Sequence, residues 1–192
     1  LNKSLFPVIE LQEISSAYQA FKNQQGEKDG VKMIAGHYLL PIAAESVEIS
    51  VFFHRYGLNE LPEKILQKLC DTDIIDCGAY IGDSALIFAD YYPKSIHCFE
   101  PNRHNYNLML ETFKLNHLNN ISINQMGVGN SVKNAKIALM GSGSYITSYK
   151  GEKIPMTTID VYSSDHKLKV GLIKMDIEGF ETQAVKGAKN TI

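Results

Sequence analysis

Tryptophan is absent from the 192-residue chain, and cysteine is scarce. The three cysteines, Cys70, Cys77 and Cys98, form neither an even set nor a Cys-x-x-Cys pair. A disulfide framework and a zinc knuckle are therefore not predicted. We expect all three to be buried free thiols, because free cysteine is among the residue types most often found in protein interiors.

An excess of basic residues is also missing. The chain has 19 Lys and Arg against 21 Asp and Glu, a formal net charge of -2. Binding to a phosphate backbone requires a positive surface, so a nucleic-acid partner is disfavoured. The six histidines show no HxxxH or HExxH spacing, and no metal site is predicted from them. His97, inside an apolar strand, is expected to be a hydrogen-bonded core residue.

Long hydrophobic runs are lacking as well. No uninterrupted apolar stretch approaches the roughly 20 residues that a membrane helix needs. The first residues, LNKSLFPVIELQEISS, do not show the basic-then-apolar layout of a signal peptide. The sequence therefore predicts a cytoplasmic protein without a membrane span. With 44% hydrophobic and 21% charged residues, the composition is typical of a folded globular protein.

Residues 1–58 are predicted to form a small N-terminal appendage of helix and strands. Apolar side chains recur at helical spacing over residues 8–21, and a polar GEKDG turn follows. Residues 31–40 and 47–53 are predicted to be strands, the second because V-E-I-S-V alternates.

Residues 59–192 are predicted to form an α/β domain with a Rossmann-like, mostly parallel sheet. Four short apolar strands, DIIDCG, SIHCFE, NISINQMGVG and VGLIKMDIEG, alternate with amphipathic helices. KIALM, SYITSY and MTTIDVY are predicted to form a local antiparallel excursion.

Two helices of this domain are expected to bury an apolar side. One covers residues 61–70, begins at Pro62 and has Leu61, Ile65, Leu66 and Leu69 on one side. The other runs from about residue 102 to 117, and its buried stripe is predicted to be Tyr106, Met109, Leu110 and Phe113.

The bend DCGAYIGD, residues 76–83, lies between an apolar strand and a helix. Gly78 and Gly82 have no side chain and tolerate positive φ, so the backbone can pass close to a ligand, with Ala79 and Tyr80 between them. The first amides of the helix can receive an anionic group. Asp83 and Ser84 are good capping residues for that helix.

The spacing of the glycines excludes two other nucleotide-binding loops. A G-x-G-x-x-G fingerprint would need glycine where Tyr80 and Asp83 stand. No G-x-x-x-x-G-K-[ST] string occurs anywhere in the chain. A loop that cradles a pyrophosphate or a triphosphate is therefore not predicted.

Glu100 ends the strand that follows the bend. An acid at this strand end, about 20 residues beyond such a loop, is placed to bind both hydroxyls of a ribose. Pro101 and Asn102 begin the next helix and could border the attached base. Gly127 and Val128 follow the third strand, where their backbone could lie against the base, although glycine after a strand usually just makes a turn.

Four segments resemble, in order and spacing, the signatures of FkbM-type methyltransferases. They span residues 74–188 and read DCGAYIGDSALIFA, HCFEPNRHNYNLML, MTTIDVY and LIKMDIEGFETQAVKGA. The resemblance implies S-adenosyl-L-methionine as the cofactor and methyl transfer, usually to an oxygen of a sugar, polysaccharide or secondary metabolite. The acceptor would then be a small molecule or a glycan. With this cofactor, the bend would take the methionine carboxylate and Asp76 the amino group.

Asp176 and Glu178 follow the fourth strand, at the rim where open α/β sheets bind ligands. Methyl transfer requires alignment of donor and acceptor and removal of the hydroxyl proton, so either acid could be the base. They could instead orient the acceptor, bind a divalent cation or cap the next helix, a role expected above all of Glu181.

The sequence ends at Ile192, after the fourth strand and its helix, whereas a complete methyltransferase sheet of this class has seven strands. Either the C-terminal strands are missing from a truncated chain, or strands within residues 135–162 and the appendage complete the sheet edge. An uncovered edge would favour a homodimer. Two other functions stay open: a non-catalytic module that keeps the cofactor fold for binding, and, less favoured, a nucleotide-dependent oxidoreductase.

Overall fold

The computed structural model describes residues 11–140, 143–147 and 151–192. The start of the predicted first helix lies outside these ranges, and the helix α1 is described over Leu11–Asn23. A three-stranded antiparallel meander follows, made of β1 (Gln25–Lys28), β2 (Val31–Ile34) and β3 (Tyr38–Pro41). The single strand predicted over residues 31–40 is therefore two strands, because Ala35 and Gly36 turn the chain with positive φ. Most of the predicted GEKDG turn is β1.

The strand predicted over residues 47–53 is wrong. This segment contains the short helix α2 (Ile49–Phe52), in which the consecutive residues Val51 and Phe52 are both buried. A strand would send these two side chains to opposite faces, whereas a helical turn lets both meet one core. Tertiary packing thus overrides the local alternation.

The helix predicted over residues 61–70 is shorter than expected. After a 3-10 segment at Arg55–Glu60, α3 covers only Glu63–Leu66 and continues as a 3-10 turn over Gln67–Asp71. Leu61 and Ile65, expected on a buried side, are exposed, while Leu69 is buried.

The parallel strands begin at residue 73. The chain forms β4 (Asp73–Cys77), α4 (Asp83–Ala89), β5 (Ser95–Phe99), α5 (Arg103–Leu115) and β6 (Ile121–Asn124). Every side chain of β4 is buried, which is typical of a strand covered on both faces. β4 and β5 were predicted correctly, because each is a short, mostly apolar segment between turn residues. The third predicted strand, NISINQMGVG, is instead divided into β6 and a two-residue strand of a second sheet, Gly127–Val128.

A second sheet follows before the chain returns to the parallel one. It consists of β7 (Gly127–Val128), β8 (Lys133–Met140), β9 (Gly143–Thr147) and β10 (Glu152–Thr157), in the order β7-β10-β8-β9. The predicted antiparallel excursion is confirmed by β8, β9 and β10, although the end of SYITSY lies outside the described residues. Of the predicted strand MTTIDVY, only Met156 and Thr157 belong to β10. The Thr158 hydroxyl accepts a hydrogen bond from the Val161 amide and caps the helix α6 (Ile159–His166), which contains the rest of the segment.

The fourth parallel strand is β11 (Val170–Met175), and the helix α7 (Glu181–Lys186) follows it. The main sheet has the order β11-β4-β5-β6 with all pairs parallel, which confirms the predicted Rossmann-like α/β class. Within the described ranges, the meander and the β7–β10 sheet do not pair with it. The interpretation that these strands complete its edge is therefore wrong.

One buried stripe of α5 differs from the prediction. Met109 and Phe113 are buried as expected, whereas Leu110 is 42% exposed and Leu108 lies in the core instead. The Asn102 side chain caps this helix by accepting a bond from the His104 amide at 2.9 Å.

The difference between Met109 and Leu110 can be measured by unfolding. We expect Met109→Ala to lower the free energy of unfolding by about 2–5 kcal/mol, because it leaves a cavity under a fully buried side chain. Leu110→Ala should cost less than about 1 kcal/mol. Urea denaturation followed by circular dichroism measures both, and equal losses would contradict this burial pattern.

The cysteines and His97 were predicted to be buried in the core. Cys77 and Cys98 are buried free thiols, but Cys70 is exposed, so the expectation was wrong there. His97 is a core residue as predicted: its ring nitrogens pair with the Ser95 hydroxyl at 2.8 Å and the Tyr162 hydroxyl at 3.0 Å. Burial lowers the pKa of His97.

Of the helices in the described part of the chain, none has the length and apolar character to cross a bilayer.

Candidate functional site

A cavity of about 400 Å³ opens at the carboxyl ends of β4, β5 and β11. Its size is in the range of small-molecule sites, and its position is where open α/β sheets bind ligands. Nine of the sequence-predicted site residues line it: Gly78, Tyr80, Asp83, Glu100, Pro101, Gly127, Val128, Asp176 and Glu178. Five others do not line it: Asp76, Ala79, Gly82, Ser84 and Asn102.

The two glycines of the bend are required by the protein's own packing. Gly78 has a φ of +78°, and a Cβ built there would lie 1.9 Å from the carbonyl oxygen of Asp176. Gly82 has a φ of +83°, and its Cβ would lie 2.5 Å from the ring of Phe113. Gly78 thus allows the ends of β4 and β11 to meet beside the cavity, whereas Gly82 lets α4 pack on α5 instead of making room for a ligand.

The bend is held by its own hydrogen bonds. The amides of Gly78 and Ala79 both donate to the carbonyl oxygen of Phe99, at 2.9 and 3.0 Å. The N-cap of α4 is Gly82, which offers no side chain, and Asp83 accepts a bond from the Ser84 amide at 2.9 Å. The Ser84 hydroxyl donates to Asp76 instead of capping the helix, so its predicted capping role is wrong.

Asp76 is fully buried behind the cavity wall. Its Oδ2 accepts the Ser84 hydroxyl, and its Oδ1 lies 3.2 Å from the ammonium of Lys174. Lys174 also donates to the carbonyl oxygen of Gly78 at 2.6 Å. Burial by itself would lower the pKa of Lys174, but the surrounding carboxylates, Asp76 first, raise it, so the side chain is charged.

Glu100 projects from the end of β5 into the cavity. Its Oε2 accepts the Tyr80 amide at 3.0 Å, and its Oε1 accepts the Asn102 amide at 2.8 Å. The carboxylate therefore joins the bend to the start of α5 and is fixed in orientation. Burial raises the pKa of Glu100 to about 7, which these amide bonds partly oppose.

One wall of the cavity is apolar. It is formed by Phe99 and Pro101 from the end of β5 and by Met126, Gly127 and Val128 around β7. A Cβ on Gly127 would come within 3.2 Å of Ile154, so this strand packs tightly against β10. A flat apolar ligand would find a complementary surface here.

The loop after β11 forms the rim. Asp176 and Glu178 are both exposed and face the cavity, and the Asp176 amide donates to the carbonyl oxygen of Cys77 at 3.0 Å. The Glu181 carboxylate accepts the amides of Ile177 and Gly179 at 2.9 and 3.2 Å. Backbone hydrogen bonds of this kind lower the pKa of Glu181 and fix the loop that carries the two rim acids.

Several lining residues were not predicted. They are Ser46, Glu48 and Tyr56 from the N-terminal segment, Phe99 from β5, Asn105 from α5, Met126 next to β7, Ile154 and Met156 from β10, Lys174 from β11, and Ile177, Gly179 and Phe180 from the rim. Lys174 carried a sequence signal, since it is a cation inside an otherwise apolar strand. Tyr56 belongs to an aromatic-rich segment that could contribute to an acceptor pocket, although core packing was the default expectation. Ser46, Glu48 and the β10 residues carried no signal, because only the folded chain brings them to the cavity.

The model of the "Methyltransferase FkbM domain" matches residues 76–192. No match was found among curated proteins. Among solved structures, M. jannaschii TYW2 in complex with AdoMet is 18% identical with a TM-score of 0.35, over 57% of this chain and 51% of that one.

Two further structures give likenesses of the same strength. A SAM-dependent methyltransferase from Agrobacterium tumefaciens is 13% identical with a TM-score of 0.38, over 54% of this chain and 32% of that one. The M. jannaschii tRNA m1G37 methyltransferase is 19% identical with a TM-score of 0.34, over 52% and 28%. The chain therefore spans about half or less of these proteins, and likenesses this low carry no functional argument.

The family match is a different kind of finding, because it extends over more than half of the chain. It begins at Asp76, the first residue of the bend, and includes Glu100 and both rim acids. These are the segments whose residues build the cavity. The chain belongs to the FkbM methyltransferase family, as its sequence predicted.

Proposed function

We propose that this protein is an S-adenosyl-L-methionine-dependent methyltransferase that methylates a hydroxyl oxygen of a small molecule or glycan. The observation that carries the proposal is the Glu100 carboxylate, which two backbone amides hold at the end of β5 while it faces the cavity. A carboxylate fixed at this strand end matches the two adjacent hydroxyls of a ribose.

The charges of the cavity suit this cofactor. S-adenosyl-L-methionine carries a sulfonium and an ammonium against one carboxylate, so it is a net cation. The cavity is lined by the carboxyl groups of Glu48, Asp83, Glu100, Asp176 and Glu178. Lys174, the lysine that lines it, is paired with Asp76. An excess of negative charge attracts a cationic ligand.

The apolar wall supports the position of the base. A nucleoside whose ribose is bound by Glu100 has its adenine within reach of residues that follow the neighbouring strands. Pro101 and Val128 both belong to the apolar wall of the cavity. An apolar slot next to a polar anchor is typical of adenine sites.

When bound, the cofactor supplies an electrophilic methyl group. The protein then has to hold the acceptor hydroxyl in line and accept its proton. Asp176 and Glu178 are exposed at the mouth, where an acceptor enters. One of them serves as the base in this proposal, and the other orients the acceptor.

The same acids limit the class of acceptor. Glu48 lies at the mouth together with Asp176 and Glu178. Three carboxylates repel a phosphate group, so a neutral hydroxylated acceptor is favoured over a nucleic acid.

The roles of the rim acids can be separated by paired variants. If one is the base, its neutral isostere, Asp176→Asn or Glu178→Gln, should lower kcat by about 10²- to 10⁴-fold. The other variant should have a smaller effect, mainly on KM. Neither should change the Kd of S-adenosylhomocysteine by much. Full turnover in both variants would mean that neither side chain is the base.

Titration calorimetry with S-adenosylmethionine, S-adenosylhomocysteine and NAD tests the proposed function. We expect binding of the first two alone. NAD binding would indicate the oxidoreductase alternative, and no binding of any of the three would indicate the non-catalytic module. A thermal-shift screen of hydroxylated compounds in the presence of S-adenosylhomocysteine would then narrow the acceptor.

Three expectations stay predictions: a boundary between two units near residue 58, a cytoplasmic location, and a homodimer. Among the residues that the structure describes, β6 and β11 each pair with one strand of the main sheet only, which supports association through these strand edges. Size exclusion with light scattering distinguishes a dimer from a monomer.

A further inference from the structure

We infer that Asp83, and not Asp76, binds the α-ammonium group of the cofactor, and that Lys174 is a positioning residue that keeps Asp76 from this role. The inference rests on the proposed function, because it requires an amino-acid-bearing nucleoside in the cavity. It reverses the assignment that the bend motif suggested.

Asp76 has its partners inside the protein. It is 0% exposed and does not line the cavity. The Ser84 hydroxyl donates to Oδ2. Oδ1 accepts no hydrogen bond from the described residues, but it forms an ion pair with the Lys174 ammonium at 3.2 Å. A ligand ammonium would have to displace Lys174 to reach this carboxylate.

Lys174 already has the surroundings that an ammonium requires. Besides the carboxylate of Asp76, it has the carbonyl oxygen of Gly78 at 2.6 Å and the face of the Tyr56 ring, whose centroid lies 5.5 Å away. Only 10% of its side chain is exposed. Removing a lysine from such a set would leave a buried carboxylate without its counterion, which is costly. Lys174 therefore holds the end of β11 to the bend.

Asp83 is the bend carboxylate that faces the cavity. It is 4% exposed and lines the cavity wall. Its Oδ1 accepts the Ser84 amide at 2.9 Å, and among the described residues no donor is seen on its other oxygen. Burial raises the pKa of Asp83 to about 7, with Lys174 and the Ser84 amide opposing the rise and Asp76 and Glu48 adding to it. A cationic ligand group would supply the partner that this carboxylate lacks.

The test combines two changes, removal of the amino group from the ligand and substitution of a carboxylate in the protein, and measures whether their effects on binding affinity depend on each other. The probes are S-adenosylhomocysteine and its analogue without the α-amino group, titrated by calorimetry at pH 8. In the wild type, loss of the amino group should weaken binding by about 10- to 100-fold, the value of a charge-assisted hydrogen bond. In Asp83→Asn, the two probes should bind with nearly equal affinity, because the partner of the amino group is gone.

The role of Lys174 is tested by the matched double variant. Asp76→Asn and Lys174→Met each leave one charge buried and unpaired, so both should lower the midpoint of thermal unfolding. The double variant removes both charges, and it should recover most of that loss together with the full discrimination between the two probes. If the two substitutions only weakened the site in a general way, the double variant would be less stable than either single variant and would not recover.

The outcomes separate this inference from the proposed function. If the wild type fails to bind S-adenosylhomocysteine, the proposed function fails. If the wild type binds but Asp83→Asn still distinguishes the probes as the wild type does, the function stands and the assignment to Asp83 is overturned. Loss of the discrimination in the double variant would likewise return the ammonium to Asp76.

Discussion

A Glu100→Gln variant is expected to lose affinity for S-adenosylhomocysteine by about 100-fold or more, since two hydrogen bonds to a charged acceptor would be weakened together. The carboxylate also accepts the amides of Tyr80 and Asn102, one on each oxygen. In glutamine, one of these amides would face an NH₂ group, a donor against a donor. The carboxamide would therefore fit neither the ribose nor the bend.

Glu111→Gln provides the matched control, because Glu111 is an exposed acid on α5 and does not line the cavity. Titration calorimetry on both variants, with circular dichroism to confirm folding, gives the comparison. A folded Glu100→Gln protein with the affinity of the control would show that the ribose is not bound by this strand end.

Gly78→Ala is expected to cause the largest loss of stability of any variant considered. The added Cβ would lie 1.9 Å from the carbonyl oxygen of Asp176, and the residue has a φ of +78°. The ends of β4 and β11 would have to separate, which would also disturb the Lys174 bond to Gly78. We expect a loss of about 4 kcal/mol or more in the free energy of unfolding, the range reserved for severe steric conflicts.

Gly36→Ala separates the clash from the backbone strain. Gly36 has nearly the same φ, +77°, but nothing lies within 4 Å of its added Cβ. This variant should lose only about 1–2 kcal/mol, the cost of a side chain in the left-handed region. Urea unfolding measures both, and equal losses would mean that the two strand ends are further apart than described.

The parallel sheet was predictable because its strands are short segments rich in apolar residues and bounded by turn residues. β4 and β5 are buried on both faces, so apolar residues occur on both sides of each strand and make the strand recognisable in the sequence. Two of the errors in secondary structure fell on α2 and α3, which have four residues each. At that length, packing against the core decides the conformation, and local patterns carry little weight.

The site was predictable where its residues lie at strand ends. Glu100 and Asp176 follow their strands directly, and a parallel sheet brings such positions to one edge. The pairing of Asp76 with Lys174 was not predictable, because it joins residues on two strands far apart in the chain. Without that contact, the sequence offers no reason to prefer Asp83 over Asp76.

A crystal structure of the protein with S-adenosylhomocysteine is the most direct measurement of the central claim, that a cleft built at the ends of β4, β5 and β11 holds the cofactor. We predict both ribose hydroxyls within hydrogen-bond distance of the Glu100 carboxylate, and the adenine against the apolar wall that contains Pro101 and Val128. A nucleoside bound elsewhere, or a cleft that stays empty at saturating ligand, would contradict the account.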